Sequence, residues 1–128
     1  MNESLTGTWE LESFEIDHNE KGLAPWGAAT RGLLIYSDSG HMSVSINRQL
    51  DFNTKDKAQR TLDSLLFYAG TYMIEGNTVR HLVTIASDPK RVGKEMIRYA
   101  ELSEGKLKLT TTQESFGKAI VVWRRPKK

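Results

Sequence analysis

The sequence contains no cysteine. No disulfide can staple its fold, and no thiolate can act as nucleophile or metal ligand. Proline is scarce at 3 residues, and charge of neither sign prevails, with Lys plus Arg at 18 and Asp plus Glu at 16. That balance offers no broad electropositive surface for nucleic acid or an anionic membrane. The basic close Arg124-Arg125-Pro126-Lys127-Lys128 stands alone and reads as a solvated end. No apolar run approaches the roughly 20 residues of a membrane span. No apolar stretch follows a basic start, so no secretory leader is read. These absences describe a soluble, cytoplasmic chain with neither membrane nor nucleic-acid partner. Its 128 residues are expected to form one domain over 1–128.

What the sequence has in quantity is period-two alternation, the mark of strands with one wet and one dry face. The opening stretch Leu5–Ile16 sets Trp9, Leu11, Ser13 and Glu15 on one face and Glu10, Glu12, Phe14 and Ile16 on the other. The first set is expected to point inward; Phe14 and Ile16 then need a cover. Residues 31–36 and 41–48 flank the turn Ser37-Asp38-Ser39-Gly40 and form a hairpin, with Met42, Val44 and Ile46 inward and Arg48 at the far end. Further strands are expected at 68–75, 78–85, 94–102, 106–112 and 119–124. The inward sets are Tyr68, Tyr72 and Ile74, then Val79, His81, Val83 and Ile85, then Leu107, Leu109 and Thr111. In 94–102, Met96, Arg98 and Ala100 oppose Ile97 and Tyr99, and either face can be the inner one.

Two stretches break the pattern. The link from Asp17 to Thr30, punctuated by Gly22, Pro25 and Gly27, is expected to be irregular. Its Trp26 is either a lid over a mouth or a plug covering Phe14 and Ile16. Between the third and fourth strands, Asn53 or Thr54 can cap a helix running to about Phe67, with Asp56 and Arg60 spaced for an ion pair and Ala58, Leu62, Leu65 and Leu66 as its apolar stripe. The expected fold is therefore all-β: an eight-stranded antiparallel up-and-down barrel with one short helix between strands three and four. Closure removes both sheet edges, and a barrel of eight strands either fills itself or holds one small ligand.

Gly7-Thr8-Trp9, the eight-strand meander and Arg124 beside Trp123 resemble the calycin superfamily. That resemblance implies that Trp9 packs beneath an Arg of the last strand, here Arg124, with Arg125 as the alternative register. Fatty-acid-binding proteins place a helix pair right after the first strand, where this chain has Pro25-Trp26-Gly27. The chain more closely resembles the lipocalin-like domain family of small bacterial and fungal proteins. It does so through Gly7-Thr8-Trp9-Glu10-Leu11, Gly32-Leu33-Leu34-Ile35-Tyr36, Gly40-His41-Met42-Ser43-Val44, Gly70-Thr71-Tyr72 and Val121-Val122-Trp123-Arg124. The resemblance implies a barrel and little about chemistry, although some relatives sit in biosynthetic pathways.

No metal or cofactor set is legible, because His18, His41 and His81 lack ligand-like spacing. No nucleophile triad, phosphate loop or base-stacking platform stands out either. What remains is a possible ring of polar groups inside an apolar barrel: Glu15, Arg48, Tyr72, His81 and Arg98. A buried charge needs a partner, so such groups are an internal salt bridge, a ligand's polar anchor, or acid–base chemistry on a guest. The candidate ligand-binding set is Glu15, Trp26, Met42, Val44, Tyr72, His81, Val83 and Arg98. The expected partner is a small apolar or amphipathic molecule bound by a monomer or homodimer. The competing expectation is an isomerase or cyclase acting on a polyketide- or terpenoid-like substrate.

Overall fold

The computed structural model describes residues 4–18, 22–49, 65–112 and 117–126. Nine strands form one antiparallel sheet: β1 (Gly7–Asp17), β2 (Leu23–Pro25), β3 (Ala28–Tyr36), β4 (His41–Gln49), β5 (Leu65–Glu75), β6 (Thr78–Ala86), β7 (Glu95–Ser103), β8 (Lys106–Thr111) and β9 (Lys118–Arg124). The order follows the chain from β3 to β9, and β1 pairs with both β3 and β9, closing an eight-stranded barrel. The three-residue β2 adds a flap on the far half of β1, pairing Glu15 with Pro25 and Asp17 with Leu23. The 17–30 link is thus partly a strand rather than wholly irregular. Leu65, Leu66 and Phe67 open β5 and are not helical, because their backbone completes the ladder with Asn47, Ile46 and Ser45. The rest of the expected helix lies outside the described residues.

Short links carry the meander. Glu104 and Gly105 join β7 to β8 with φ values of 50° and 77°, both positive as a type I′ hairpin turn requires. Between β6 and β7, a 3₁₀ turn over Pro89–Arg91 is capped by Asp88, whose side chain accepts from the Lys90 amide.

Two bulges decide which side chains face inward. In the β1–β9 ladder Leu11 pairs with Trp123 and Ser13 with Val122, so Glu12 is the extra residue. Past that point the faces of β1 exchange. Trp9 and Leu11 are buried before the bulge, whereas Phe14 packs on the core and Ile16 is buried after it. Glu15, read as inward, is carried to the opposite face, and Ser13 leaves the interior set too. A second bulge lies where Ala69 pairs with Ile85 and Gly70 with Val83. Val79, His81 and Val83 stay inside, while Ile85 is turned out with 59% of its surface exposed. Gly70 permits that kink, since a Cβ there would sit 1.8 Å from the Leu82 carbonyl oxygen. Ile74 is also exposed, close to the turn that ends β5.

On β7 the inner face is Met96, Arg98 and Ala100; Tyr99 is exposed. The core gathers Leu5, Trp9, Leu34, Tyr36, Leu107 and Trp123 with Met42, Val44 and Ile46 of β4. At the Trp9 end the closure is made by Arg125 and not by Arg124. The Arg125 guanidinium lies 3.7 Å from the Trp9 ring centre and donates to the carbonyls of Ser4, Thr6 and Thr8. The Trp9 indole N–H donates to the Leu5 carbonyl at 2.9 Å. Gly7 makes room, because a Cβ there would stand 2.8 Å from an Arg125 nitrogen. Alternation explains the register: Trp123 faces in, so Arg124 faces out and pairs with Glu10 at 2.6 Å. Arg125, one residue past the strand, is free to turn back over the barrel end.

Arg125→Ala should therefore cost about 1–2 kcal/mol in urea unfolding, through the lost cation–π contact and carbonyl hydrogen bonds. Arg124→Ala, which breaks an exposed pair, should cost less than about 1 kcal/mol. An equal or larger loss for Arg124→Ala would contradict this assignment of the closure.

Candidate functional site

The interior is not completely filled. A cavity of about 50 Å³ is walled by Phe14 of β1, Leu34 of β3, Val44 and Ile46 of β4, Leu66 and Tyr68 of β5, and Leu109, Val121 and Trp123 of the closing strands. Its polar lining comes from Tyr68, His81, Arg91, Arg98 and Thr111. A wider mouth shares Phe14, Leu66, Arg91, Arg98, Thr111 and Ala119 with that cavity and continues to Ile16, Trp26, Lys94, Glu95 and Met96.

The centre of the polar lining is His81, 2% exposed and held between two phenols. Tyr36 Oη lies 2.7 Å from Nε2 and Tyr68 Oη 2.7 Å from Nδ1. β6 aims the imidazole inward, while Tyr36 at the end of β3 and Tyr68 in β5 reach it from either side. A neutral imidazole carries one N–H and one acceptor nitrogen, so one of the two phenols donates to the ring and the other accepts from it.

Burial and the nearby Arg98 charge hold the His81 imidazole's pKa down at about 3. Burial pushes the Tyr36 hydroxyl well above its usual range, reinforced by Tyr68, with Arg98 pulling the other way. Tyr68 is raised by burial as well, against the opposing pull of Arg98 and Arg91. At neutral pH all three groups are uncharged.

Arg98 donates to the Ile97 carbonyl at 3.1 Å and lines the cavity beside Tyr68. Arg91 reaches over the Tyr68 ring at 6.0 Å. The Trp123 indole nitrogen is buried without a hydrogen-bond partner among the described residues. At the mouth, Trp26 stacks on Phe14 with centroids 4.7 Å apart and planes 19° from parallel. The Arg48 guanidinium covers the Trp26 ring at 3.8 Å. The Trp26 amide donates to the Phe14 carbonyl and its carbonyl accepts from Thr30, so backbone as well as ring is pinned. Trp26 thus covers Phe14 and lines the mouth.

The candidate residues thus separate. Val44, His81 and Arg98 line the cavity, and Trp26 lines the mouth with Arg98. Met42 and Val83 are buried in the core outside the cavity lining, and the Tyr72 hydroxyl turns away to the Ser37 carbonyl at 2.8 Å. Glu15 lies on the opposite face of β1, beyond the bulge. Tyr36, Arg91 and Trp123 were not read as site residues. Tyr36 shares a face with Leu34 in a strand whose alternation held that signal; Arg91 sits in a link, where alternation says nothing. Among the described residues no three His, Asp or Glu side chains gather as a metal site would require.

An eight-stranded antiparallel meander closed on its own first strand, with a Trp–Arg plug at one end and a lined cavity inside, is the architecture of a lipocalin-like barrel. The lipocalin-like domain family matches residues 6–125, and the chain belongs to that family. Among solved structures it is similar to two single-site mutants of the fluorescent protein UnaG, each aligned over 100% of both chains. They are 22% and 20% identical, with TM-scores of 0.49 and 0.47. No curated protein matches the chain. Within the described residues no helix is long and apolar enough to cross a membrane.

Stability should follow the His81 proton. Above pH about 6.5 the imidazole is neutral folded or unfolded; below it the unfolded chain takes up a proton that the folded chain refuses until about pH 3. The unfolded state gains by about 1.4 kcal/mol per pH unit across that window. The stability advantage of the wild type over His81→Gln should therefore shrink as pH falls from 7 to 4, measured by urea unfolding at each pH. An advantage that holds constant or grows would contradict a buried neutral His81.

Proposed function

We propose that this protein binds a small amphipathic molecule in its barrel, with the polar end inside and the apolar body at the mouth. The observation that carries this reading is the cavity itself: apolar walls with a few convergent polar groups, opening through shared residues into a wider apolar mouth. At about 50 Å³ the inner chamber takes a head group or a few waters, not a whole ligand. Phe14, Ile16, Trp26 and Met96 supply the surface for the rest.

Turnover by an isomerase or cyclase would need a group that exchanges protons near neutral pH. His81 is held far below that range and both tyrosines above it, and no carboxylate is among the described residues lining the inner cavity. Those properties favour holding a guest over transforming it.

Ala119 is buried at the junction of chamber and mouth. Ala119→Phe should fill that junction at a stability cost of about 1–3 kcal/mol. Titration with the neutral fluorescent probe N-phenyl-1-naphthylamine should show saturable binding to the wild type and at least about tenfold weaker binding to the variant, as for roughly 1.4 kcal/mol of lost contact. Undiminished binding by a folded Ala119→Phe protein would place the probe elsewhere and defeat the proposal. Native mass spectrometry of freshly purified protein would identify any retained guest.

A further inference from the structure

The polar groups around the inner chamber are unbalanced in sign. Arg91 and Arg98 are the charged residues in its described lining, and no acid stands opposite them. The one carboxylate among the described mouth residues, Glu95, is engaged by Arg80 at 2.6 Å. None of the ion pairs among the described residues includes Arg91 or Arg98. Arg98 spends one bond on its own strand, out of the five N–H donors a guanidinium offers. A half-buried cation with unused donors is costly to leave uncompensated.

A neutral donor points to the same need. Trp123 is 2% exposed, lines the chamber, and has an indole N–H with no partner among the described residues. Buried polar groups are seldom left so, and an orphan of this kind calls for an acceptor that the described residues do not supply. The chamber therefore presents donors in excess: a guanidinium and an indole N–H.

We propose that the inner chamber is the head-group site for a compact organic carboxylate, a ring-bearing acid whose oxygens take donors from Arg98 and Trp123 while its ring lies toward Phe14 and Met96. The proposal rests on the small-molecule reading above and narrows it to one chemical class. A carboxylate has the planar acceptor geometry that a guanidinium fork matches, and it is small enough for about 50 Å³. A long flexible chain does not suit the interior. The space it would need is occupied by Leu5, Trp9, Tyr36, Leu107 and Trp123, all nearly free of solvent contact.

The test compares three probes by isothermal titration with the full chain at pH 7.5: 1-naphthoate, its neutral isostere 1-naphthamide, and laurate. Naphthoate should bind at least about tenfold tighter than the amide, as expected for charge-assisted bonds, and tighter than laurate. Arg98→Met should erase the preference for the acid over the amide, a ratio that a purely structural role for Arg98 would not move. Arg98→Lys keeps the charge without the fork; it should retain part of the preference and serves where Arg98→Met fails to fold. Trp123→Phe should weaken naphthoate by about three- to tenfold. Amide binding within threefold of the acid, or a preference that survives loss of the guanidinium, overturns the carboxylate assignment while leaving small-molecule binding in place. Tighter binding of laurate overturns the compact guest. If none of the three binds, this inference and the function it rests on fall together.

Discussion

The whole molecule depends on β1 being hydrogen-bonded along both edges. Gly7–Glu10 pair with β3 and Glu10–Asp17 with β9, which turns an open meander into a closed barrel. An open sheet of eight twisted strands would expose two edges and could not enclose a chamber. Closure also brings chain positions far apart in sequence into one place: Arg125 onto Trp9 at one end, and Phe14 beside Ala119 and Val121 along the ladder.

Inside that enclosure, desolvation governs the polar chemistry. Tyr36, His81 and Tyr68 are affordable in the core only because each satisfies another, and the same burial removes charge from all three. The triad is thus a rigid neutral wall rather than an acid–base device. It also fixes where Tyr68 can stand, on the chamber wall that Arg91 and Arg98 share. Among the described lining of the chamber, charge comes from Arg91 and Arg98, at the side where the chamber opens to the mouth.

Most of the architecture was legible in the sequence because most strands alternate without interruption. Met42, Val44 and Ile46, and Leu107, Leu109 and Thr111, lie inside as their spacing requires. The hairpin at Ser37–Gly40 and the Glu104-Gly105 turn follow from local turn chemistry. The misplaced faces share one physical cause. Period-two reasoning assumes an unbroken ladder, and a bulge shifts every later residue by one. Glu15 and Ile85 were misplaced for that reason. The unexpected inward aromatic at Phe14 was the trace of the first bulge, visible in the sequence as a conflict between hydrophobicity and register. Arg125 was missed differently: it lies past the last strand, where alternation ceases to apply. His81 was placed correctly, yet its partners come from strands 45 and 13 residues away in sequence, and no local pattern reports such a meeting.

The bulge at Glu12 makes β1 a strand written in two phases, with a one-residue frame shift between them. Deletion of that residue would act as a simple shortening: with Leu11 still opposite Trp123 and Ser13 opposite Val122, the strand would run through in a single phase that keeps Leu11, Phe14 and Ile16 inside. Flattening the bulge while keeping Glu12 in the ladder would do the opposite. Ser13 and Glu15 would then occupy the inward places, and Phe14 and Ile16 the outward ones. A carboxylate on the side of the barrel that holds Arg98 would give the protein its own counter-ion, and the Trp26 stack would lose the ring it rests on. One extra residue in the first strand is thus what keeps the protein's own acid out of the chamber.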